Sequence, residues 1–468
     1  MIIVIIIIII IMQAGKVREM QSNDEFLYQE RFVGQNTDDI LRLAFPEKLG
    51  THARIEDIPL PEEHFAQTWD EAISQSGQIE DRTAYLHIPF CRLRCLYCGF
   101  YRNHYERSRV GRYVQALLKD IKMSGQKAYC HTQPLQAVYF GGGTPGVMTA
   151  GEITAVLTAV RENLTLAADC EITFETSISD LDDDQLDACL AGGVNRFSLG
   201  VQTFNTKIRQ ALGRLDTEER LRQRLEELTT KQKQAAVVID LIYGLPWQTL
   251  AMWRYDLDIA VASGIHGFDT YSLNVQPKTI LAQMISEGKI PAAASRAEQA
   301  EYFSLAVALL NKKGLRRLSV CHWGRFDMKE RNIYNRLGKG ELGRIPFGAG
   351  GGGSIDGLRV RLHSDVDTYE RLVESGQKPV AFMARPAGIY KTATQLRAGI
   401  DQGLVNTAGL DARTQEQLKP LIGEWERRGF INRARGLNEL TLAGQFWHKE
   451  LAQALVDFVD LCYQKDRR

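Results

Sequence analysis

Between residues 84 and 275, short apolar runs alternate with stretches of helical spacing, and this alternation limits the fold more than any other feature of the chain. Strands are predicted at 84–88, 135–140, 170–175, 196–201, 235–242 and 267–275. Helices are predicted between them at 110–123, 153–160, 182–191, 218–228 and 252–262. The first helix puts Val114, Leu117, Leu118 and Ile121 on one face, the 3.6-residue period of a half-buried helix. Strand and helix in strict turn mean parallel β/α units. About six of them give an α/β fold, a partial (β/α)6 TIM-like barrel. Polar and glycine-rich clusters follow several strands, at the rim where such barrels place their chemistry.

The rest of the chain divides around that barrel. Residues 1–80 read as an irregular, partly helical lead-in, 81–290 as the core barrel, and 291–385 as its extension. The extension holds a stretch dense in His, Trp, Arg and Tyr (321–334) and a glycine run from Gly348 to Gly353. Residues 386–468 read as a C-terminal helical, winged-helix-like lid with a hairpin near 429–442. Residues 1–12 are nearly all isoleucine. That run is shorter than the roughly 20 residues a spanning helix needs and lacks the flanks of a signal peptide. It is read as a start-site artefact, with Met12 or Met20 nearer the true start, and no stable membrane insertion is expected. Lysine plus arginine equals aspartate plus glutamate, 57 each, so no overall field recruits nucleic acid. No basic recognition helix stands out in the last segment, which is expected to bind no nucleic acid.

Three of the eight cysteines, Cys91, Cys95 and Cys98, fall within eight residues, and the others are scattered. This is not the cysteine-dense pattern of a small secreted domain, so a cytoplasmic location with one metal site is expected. Thiolates are soft ligands that suit iron–sulfur clusters or zinc. Structural zinc usually takes four ligands, for which His87 or His104 is the nearest fourth. Cys130, Cys170, Cys189 and Cys462 are expected to be ordinary buried cysteines, and His363 a surface residue.

The motif Tyr85-x-His87-Ile88-Pro89-Phe90-Cys91-x3-Cys95-x-Tyr97-Cys98 resembles one branch of the radical S-adenosylmethionine (SAM) enzymes. That branch contains the oxygen-independent coproporphyrinogen dehydrogenases, the heme chaperones and the anaerobic heme-degrading methyltransferases. The likeness runs from Tyr85 to Gln276, and more loosely to the C-terminus. It implies a [4Fe–4S] cluster on Cys91, Cys95 and Cys98, with one iron left open to chelate SAM. It implies that Gly142, Gly143 and Thr144, in Phe140-Gly141-Gly142-Gly143-Thr144-Pro145, meet the methionyl amine. Glu175 would hold the ribose hydroxyls, and Gln202 and Arg214 would lie against SAM, with Arg214 on its carboxylate. Asp240 resembles an adenosine contact, Tyr85 would pack near the cluster-bound SAM, and Tyr97 would face adenine. Relatives that bind a second SAM place residues like Ile242 and Asn274 against it.

Within the branch, the coproporphyrinogen enzymes carry a further cysteine two residues after the third ligand, where this chain has Phe100. Heme chaperones tend to carry His-Asn-x-x-Tyr-Trp downstream, where the nearest text here is Arg331-Asn332-Ile333-Tyr334-Asn335. Gly99-Phe100-Tyr101-Arg102-Asn103 and Cys321-His322-Trp323-Gly324 look most like the heme-utilisation methyltransferases. That resemblance implies that a radical drawn from one SAM activates the methyl group of a second, which attacks a meso carbon of heme. The ring opens to a linear tetrapyrrole, and iron leaves without oxygen. A heme-binding chaperone and a coproporphyrinogen dehydrogenase are the alternatives. Heme is then the expected substrate, and a flavodoxin or reductase the expected electron donor. Arg317, Arg325, Lys329 and Arg331 would meet the propionates, and Cys321 or His322 the iron.

Overall fold

The computed structural model describes residues 29–49, 53–55, 57–434 and 436–466. The isoleucine run, with the start-site reading attached to it, lies outside the described residues. Six parallel strands form the barrel in chain order: Arg82–Ile88, Leu135–Gly142, Leu166–Ser177, Arg196–Gln202, Ala236–Tyr243 and Gly267–Ser272. The last stops at 272 rather than 275, because the chain leaves the sheet before Leu273. Helices Arg107–Gly125, Ala150–Asn163, Asp183–Ala191, Glu218–Thr230 and Leu250–Ala262 connect them. Their starts are written locally. Thr149 with Glu152, and Asp182 with Gln185, form capping boxes that satisfy backbone N–H groups no helix can pair internally.

The sheet does not end at the barrel. It has 13 strands, and a wing extends from the first barrel strand. Gly343–Phe347 runs parallel beside Arg82–Ile88, and Gly352–Ile355, Leu358–Leu362 and Val380–Pro386 follow antiparallel. Asp57–Pro59, from what was expected to be an irregular lead-in, closes that edge against Val380–Pro386. At the other edge His322–Gly324 and Arg316–Arg317 add antiparallel to Gly267–Ser272. The described part of the lead-in is also tied to the C-terminal helices. Trp425 Nε1 donates to Phe32 O at 2.7 Å and Trp447 Nε1 to Ile40 O at 2.8 Å. The C-terminal segment has the expected order of helices (Tyr390–Asp401, Ala412–Arg428), hairpin (Ile431–Ala434, Leu437–Leu440) and helix (His448–Asp466). No helix among the described residues is long and apolar enough to cross a membrane.

The segment 325–334 straps the N-terminal ends of the barrel strands from below. Arg325 bonds the carbonyls of Ile265 and Val261, and Lys329 Nζ that of Lys233. Arg331 reaches Asp169, and the Glu171 carboxylate accepts from Ile333 N and Tyr334 N at 3.0 and 3.1 Å. The short helix Ile333–Leu337 therefore starts inside the barrel, where Ile333 and Tyr334 pack on Ala137 and Tyr139.

A buried ion pair joins wing and barrel. Lys378 Nζ lies 2.8 Å from Asp120 Oδ1 and donates to Pro346 O, and the Tyr369 hydroxyl donates to Asp120 Oδ2 at 2.7 Å. Asp120→Ala leaves the lysine buried without its counter-charge, so a stability loss of about 3–5 kcal/mol is expected, read from the denaturant midpoint. Adding Lys378→Met should recover most of it; equal losses in the single and double variants would mean that the pair is not what holds the wing.

Candidate functional site

After the strand Arg82–Ile88 the chain turns into a loop that carries the three cysteines. Tyr105 N donates to Cys91 O at 2.9 Å and Asn103 Nδ2 to Pro89 O at 3.1 Å, closing the loop on itself. Its middle is pinned from two sides, by Leu96 N to Leu212 O (3.1 Å) and Leu281 N to Leu96 O (2.9 Å). Arg92 pairs with Asp180 at 3.0 Å and lies over the Tyr105 ring. The thiols of Cys91, Cys95 and Cys98 are free and half-buried. Burial pushes the Cys91 thiol up to about 11, opposed by the Thr144 hydroxyl 3.4 Å from its sulfur.

A four-ligand zinc site does not assemble here. His87 turns its Nδ1 to the Tyr85 hydroxyl at 3.0 Å, and burial, with Arg102 nearby, lowers its pKa to about 4. His104 is exposed on the strand Asn103–His104. Among the described residues no three His, Cys, Asp or Glu side chains converge closely enough to hold a single metal ion.

Strand register carries the remaining site residues to one face. In parallel pairs, partnered residues point to the same side, and residues two apart share a face. The pairs Tyr85↔Tyr139↔Thr173, Glu175↔Ser198, Gly200↔Asp240 and Ile242↔Tyr271 thus put Tyr85, Glu175, Asp240 and Ile242 on the inner face of the barrel. Gly142 has φ 112°, and a Cβ there would sit 2.7 Å from the His87 ring. A Cβ on Gly143 would sit 2.6 Å from Phe90 O, while its N–H donates to Ile88 O at 2.8 Å. Only glycine lets that turn lie so close beneath the cysteine loop.

Tyr97, Gln202 and Arg214 meet at Gly200. Arg214 donates Nε to the Tyr97 hydroxyl at 2.8 Å and Nη1 to Gly200 O at 2.7 Å. Gln202 lies at a bulge with φ 67°, an unfavourable backbone for that residue type. Its Oε1 is buried and has no hydrogen-bond partner among the described residues. Ile242 packs in the apolar cluster with Leu96 and Tyr97. Asn274 stands apart: it is exposed beyond the last barrel strand and lines an outer recess with Lys48 and Arg296. Burial raises Glu175 to about 7, against the Tyr139 hydroxyl and Arg196; burial, Asp269 and Glu175 raise Asp240. Three soft thiols, a cradle that a Cβ would fill, an unpaired buried amide oxygen and a guanidinium make a donor set that fits an iron–sulfur cluster with an amino-acid-bearing nucleoside.

The residues expected to hold heme are engaged elsewhere. His322 is 1% exposed. Its Nδ1 lies 2.8 Å from Asp269 and its Nε2 3.1 Å from Glu330, so no ring nitrogen is left for iron. Arg325, Lys329 and Arg331 are part of the strap, at the opposite end of the strands from the cysteines. Arg317 is spent on the carbonyls of Ser319 and Val320. Cys321 lines a cavity of about 220 Å³ beside Tyr271, and its thiol is pushed up to about 12 by burial and Asp269. Tyr139 was missed in sequence, although its position two residues before Gly141 puts it on the site's face.

The description "Radical SAM superfamily" matches residues 85–258. The chain is 38% identical over 408 residues to the "Anaerobilin synthase" of Escherichia coli O157:H7, covering 86% of this chain and 90% of that protein. It is 33% identical over 300 residues to the heme chaperone HemW of Synechocystis, with 62% and 70% covered. The crystallised coproporphyrinogen III oxidase of Escherichia coli superposes with a TM-score of 0.70 at 19% identity, over 86% of this chain and 99% of that one; at that identity it speaks for the fold alone.

The His322 cluster should give stability a pH signature. Burial opposes its charge, but Asp269 and Glu330 outweigh that and raise His322 to about 10. Burial would raise Glu330, yet Arg196 and His322 bring it down to about 2. A raised histidine stabilises fully below its unfolded value of about 6.5 and loses that contribution as pH climbs through the folded value. The depressed Glu330 contributes above its unfolded value and loses that contribution only as pH falls through about 2. Unfolding midpoints should therefore decline from about pH 6.5 towards 10, and His322→Gln should flatten that limb. An unchanged alkaline slope in the variant would rule the cluster out as its source.

Proposed function

The chain belongs to the radical SAM superfamily, in the family of the anaerobilin synthase, and from that membership we propose that it is a C-methyltransferase that opens the heme macrocycle without oxygen. The products are a linear tetrapyrrole and free iron. The observation that carries this reading is the 38% identity to an anaerobilin synthase over 90% of its length. Phe100, where the coproporphyrinogen enzymes have a cysteine, argues against that alternative.

Cys91, Cys95 and Cys98 hold the [4Fe–4S] cluster in this proposal. When bound, cluster and SAM supply one-electron chemistry, the reductive cleavage of a carbon–sulfur bond. The protein's own part is to bind, orient and exclude water. The Gly142–Gly143 turn and Thr144 admit the methionyl end, whose amine the unpaired Gln202 Oε1 accepts from. Arg214, preset by Tyr97 and Gly200, meets the carboxylate through a charge-assisted hydrogen bond. Glu175 accepts from the ribose hydroxyls, and Asp240, Tyr97 and Tyr85 border the nucleoside. A second SAM, the source of the transferred carbon, would be contacted by Ile242, whereas Asn274, exposed in the outer recess, is not beside it. An electron donor such as a flavodoxin or reductase approaches the cysteine loop, where Arg94 and Arg102 are exposed.

The direct test is an anaerobic reaction of cluster-loaded protein with SAM, reductant and heme. The Soret band should fade, and mass spectrometry should find a linear tetrapyrrole carrying one SAM-derived carbon. An intact band with bound heme would move the chain to the chaperone reading. Cys95→Ala is expected to abolish deoxyadenosine formation; a variant that still makes it does not use Cys95 as a ligand. Arg214→Ala should weaken SAM binding about tenfold or more while iron content stays at the wild-type level, and unchanged SAM affinity would remove Arg214 from the site.

A further inference from the structure

Between the wing and the first barrel strand lies a groove of about 770 Å³ in which arginines outnumber acids. Strand register explains the crowding. Arg344 pairs with Thr83, two residues from Tyr85, and with Ser354 on its other side. Ser354 pairs with Arg359, and Arg361 with Phe382. All of these therefore share the face of Tyr85. Arg54, from the lead-in, and Arg397, from the helix Tyr390–Asp401, line it as well. Five arginines thus face the groove against one described acid, Asp57, which is already paired with Arg359.

Several of these guanidiniums lack a full set of acceptors. Arg344 Nε and Arg397 Nε are buried with no hydrogen-bond partner among the described residues. Arg344 lies 4.7 Å over the Tyr334 ring and Arg361 5.3 Å over the Phe382 ring. Arg361 makes no ion pair among the described residues. Burial, together with crowding by Arg359 and Arg344, lowers the pKa of Arg397. Like charges gathered around a concave space are costly to the protein alone, and bidentate carboxylates relieve that cost. The groove walls are aromatic, with Tyr85, Tyr334 and Tyr390 beside Phe382. Tyr85 also bonds His87 next to the cysteine loop and stacks towards Tyr334 at 6.4 Å.

We propose that this groove seats the two propionate arms of the porphyrin substrate on Arg344, Arg359, Arg361 and Arg397, with the macrocycle lying over Tyr85 and Tyr334 towards the inner face that carries Glu175. The assignment rests on the heme-opening reading and moves the propionate contacts from the strap to the wing. It requires two carboxylates on one edge of a planar ligand, so it separates heme from its neutral esters.

The test is titration of the full, cluster-loaded protein with iron protoporphyrin IX and with its dimethyl ester, followed by the Soret shift. Wild-type protein should bind the diacid at least about tenfold more tightly than the ester, the scale of one lost charged hydrogen bond. Arg361→Gln combined with Arg397→Gln should erase that preference while SAM affinity stays unchanged. Arg361→Glu, at an exposed position, should weaken diacid binding further than Arg361→Gln. Equal diacid binding in wild type and variants, or no preference over the ester in wild type, overturns the groove assignment alone. Failure of the wild type to bind either porphyrin overturns the heme reading, and the groove assignment with it.

Discussion

Glu330 is a carboxylate with no exposure at the base of a barrel, and buried alone it would be costly by several kcal/mol. It is not alone. Arg196 Nε reaches both its oxygens at 3.1 Å and His322 Nε2 one of them, while Asp269 holds the other side of the His322 ring. Four groups of alternating charge therefore neutralise one another where no water competes, where a buried charge left without its partner would be costly. It joins the fourth barrel strand, which carries Arg196, the sixth, which carries Asp269, and the edge strand of His322. It also draws the strap that carries Glu330 beneath the barrel, so that Ile333–Leu337 starts at Glu171 and Tyr334 reaches Tyr139 at 4.5 Å.

From that base the inner face is built upward by register. Tyr334 supports Tyr139 and Tyr85, Tyr85 holds the neutral His87, and His87 fits beneath Gly142. A side chain on Gly142 or Gly143 would break this close stacking at the point where the cysteine loop begins. The polarity of the inner face follows from the same arrangement. Burial raises both Glu175 and Asp240, the latter also through Asp269 and Glu175, a cluster of perturbed groups of the kind that marks functional sites. Wing and barrel form one continuous sheet, and Tyr85 both lines the arginine groove and bonds His87 beside the cysteine loop.

Likeness and geometry contribute differently to the functional reading. The solved coproporphyrinogen enzyme shares the architecture at 19% identity, which cannot choose among chemistries because one fold hosts many. The 38% match over most of an anaerobilin synthase narrows the choice. Geometry adds a groove lined by five arginines, apart from the segment on which the motif reading had placed the propionate contacts.

Local chemistry made part of this protein legible from its sequence. The spacing of Cys91, Cys95 and Cys98 and the glycines after an apolar strand depend on residues within a turn or two of each other. The six barrel strands were legible for the same reason, since hydrophobic period is a property of a short window. The wing was not: Gly343–Phe347 becomes a strand only because Arg82–Ile88 lies beside it, and the glycine run before Leu358–Leu362 reads as a loop in isolation. His322 and the arginines of the strap carried the residue types of heme ligands, yet their partners lie as far away as Asp269 and Asp169. Residue type and spacing determined the metal-site chemistry and the class of fold. Long-range pairing alone decided which charges neutralise each other and which guanidiniums keep unpaired donors, because a buried charge takes its role from the partner that folding brings to it.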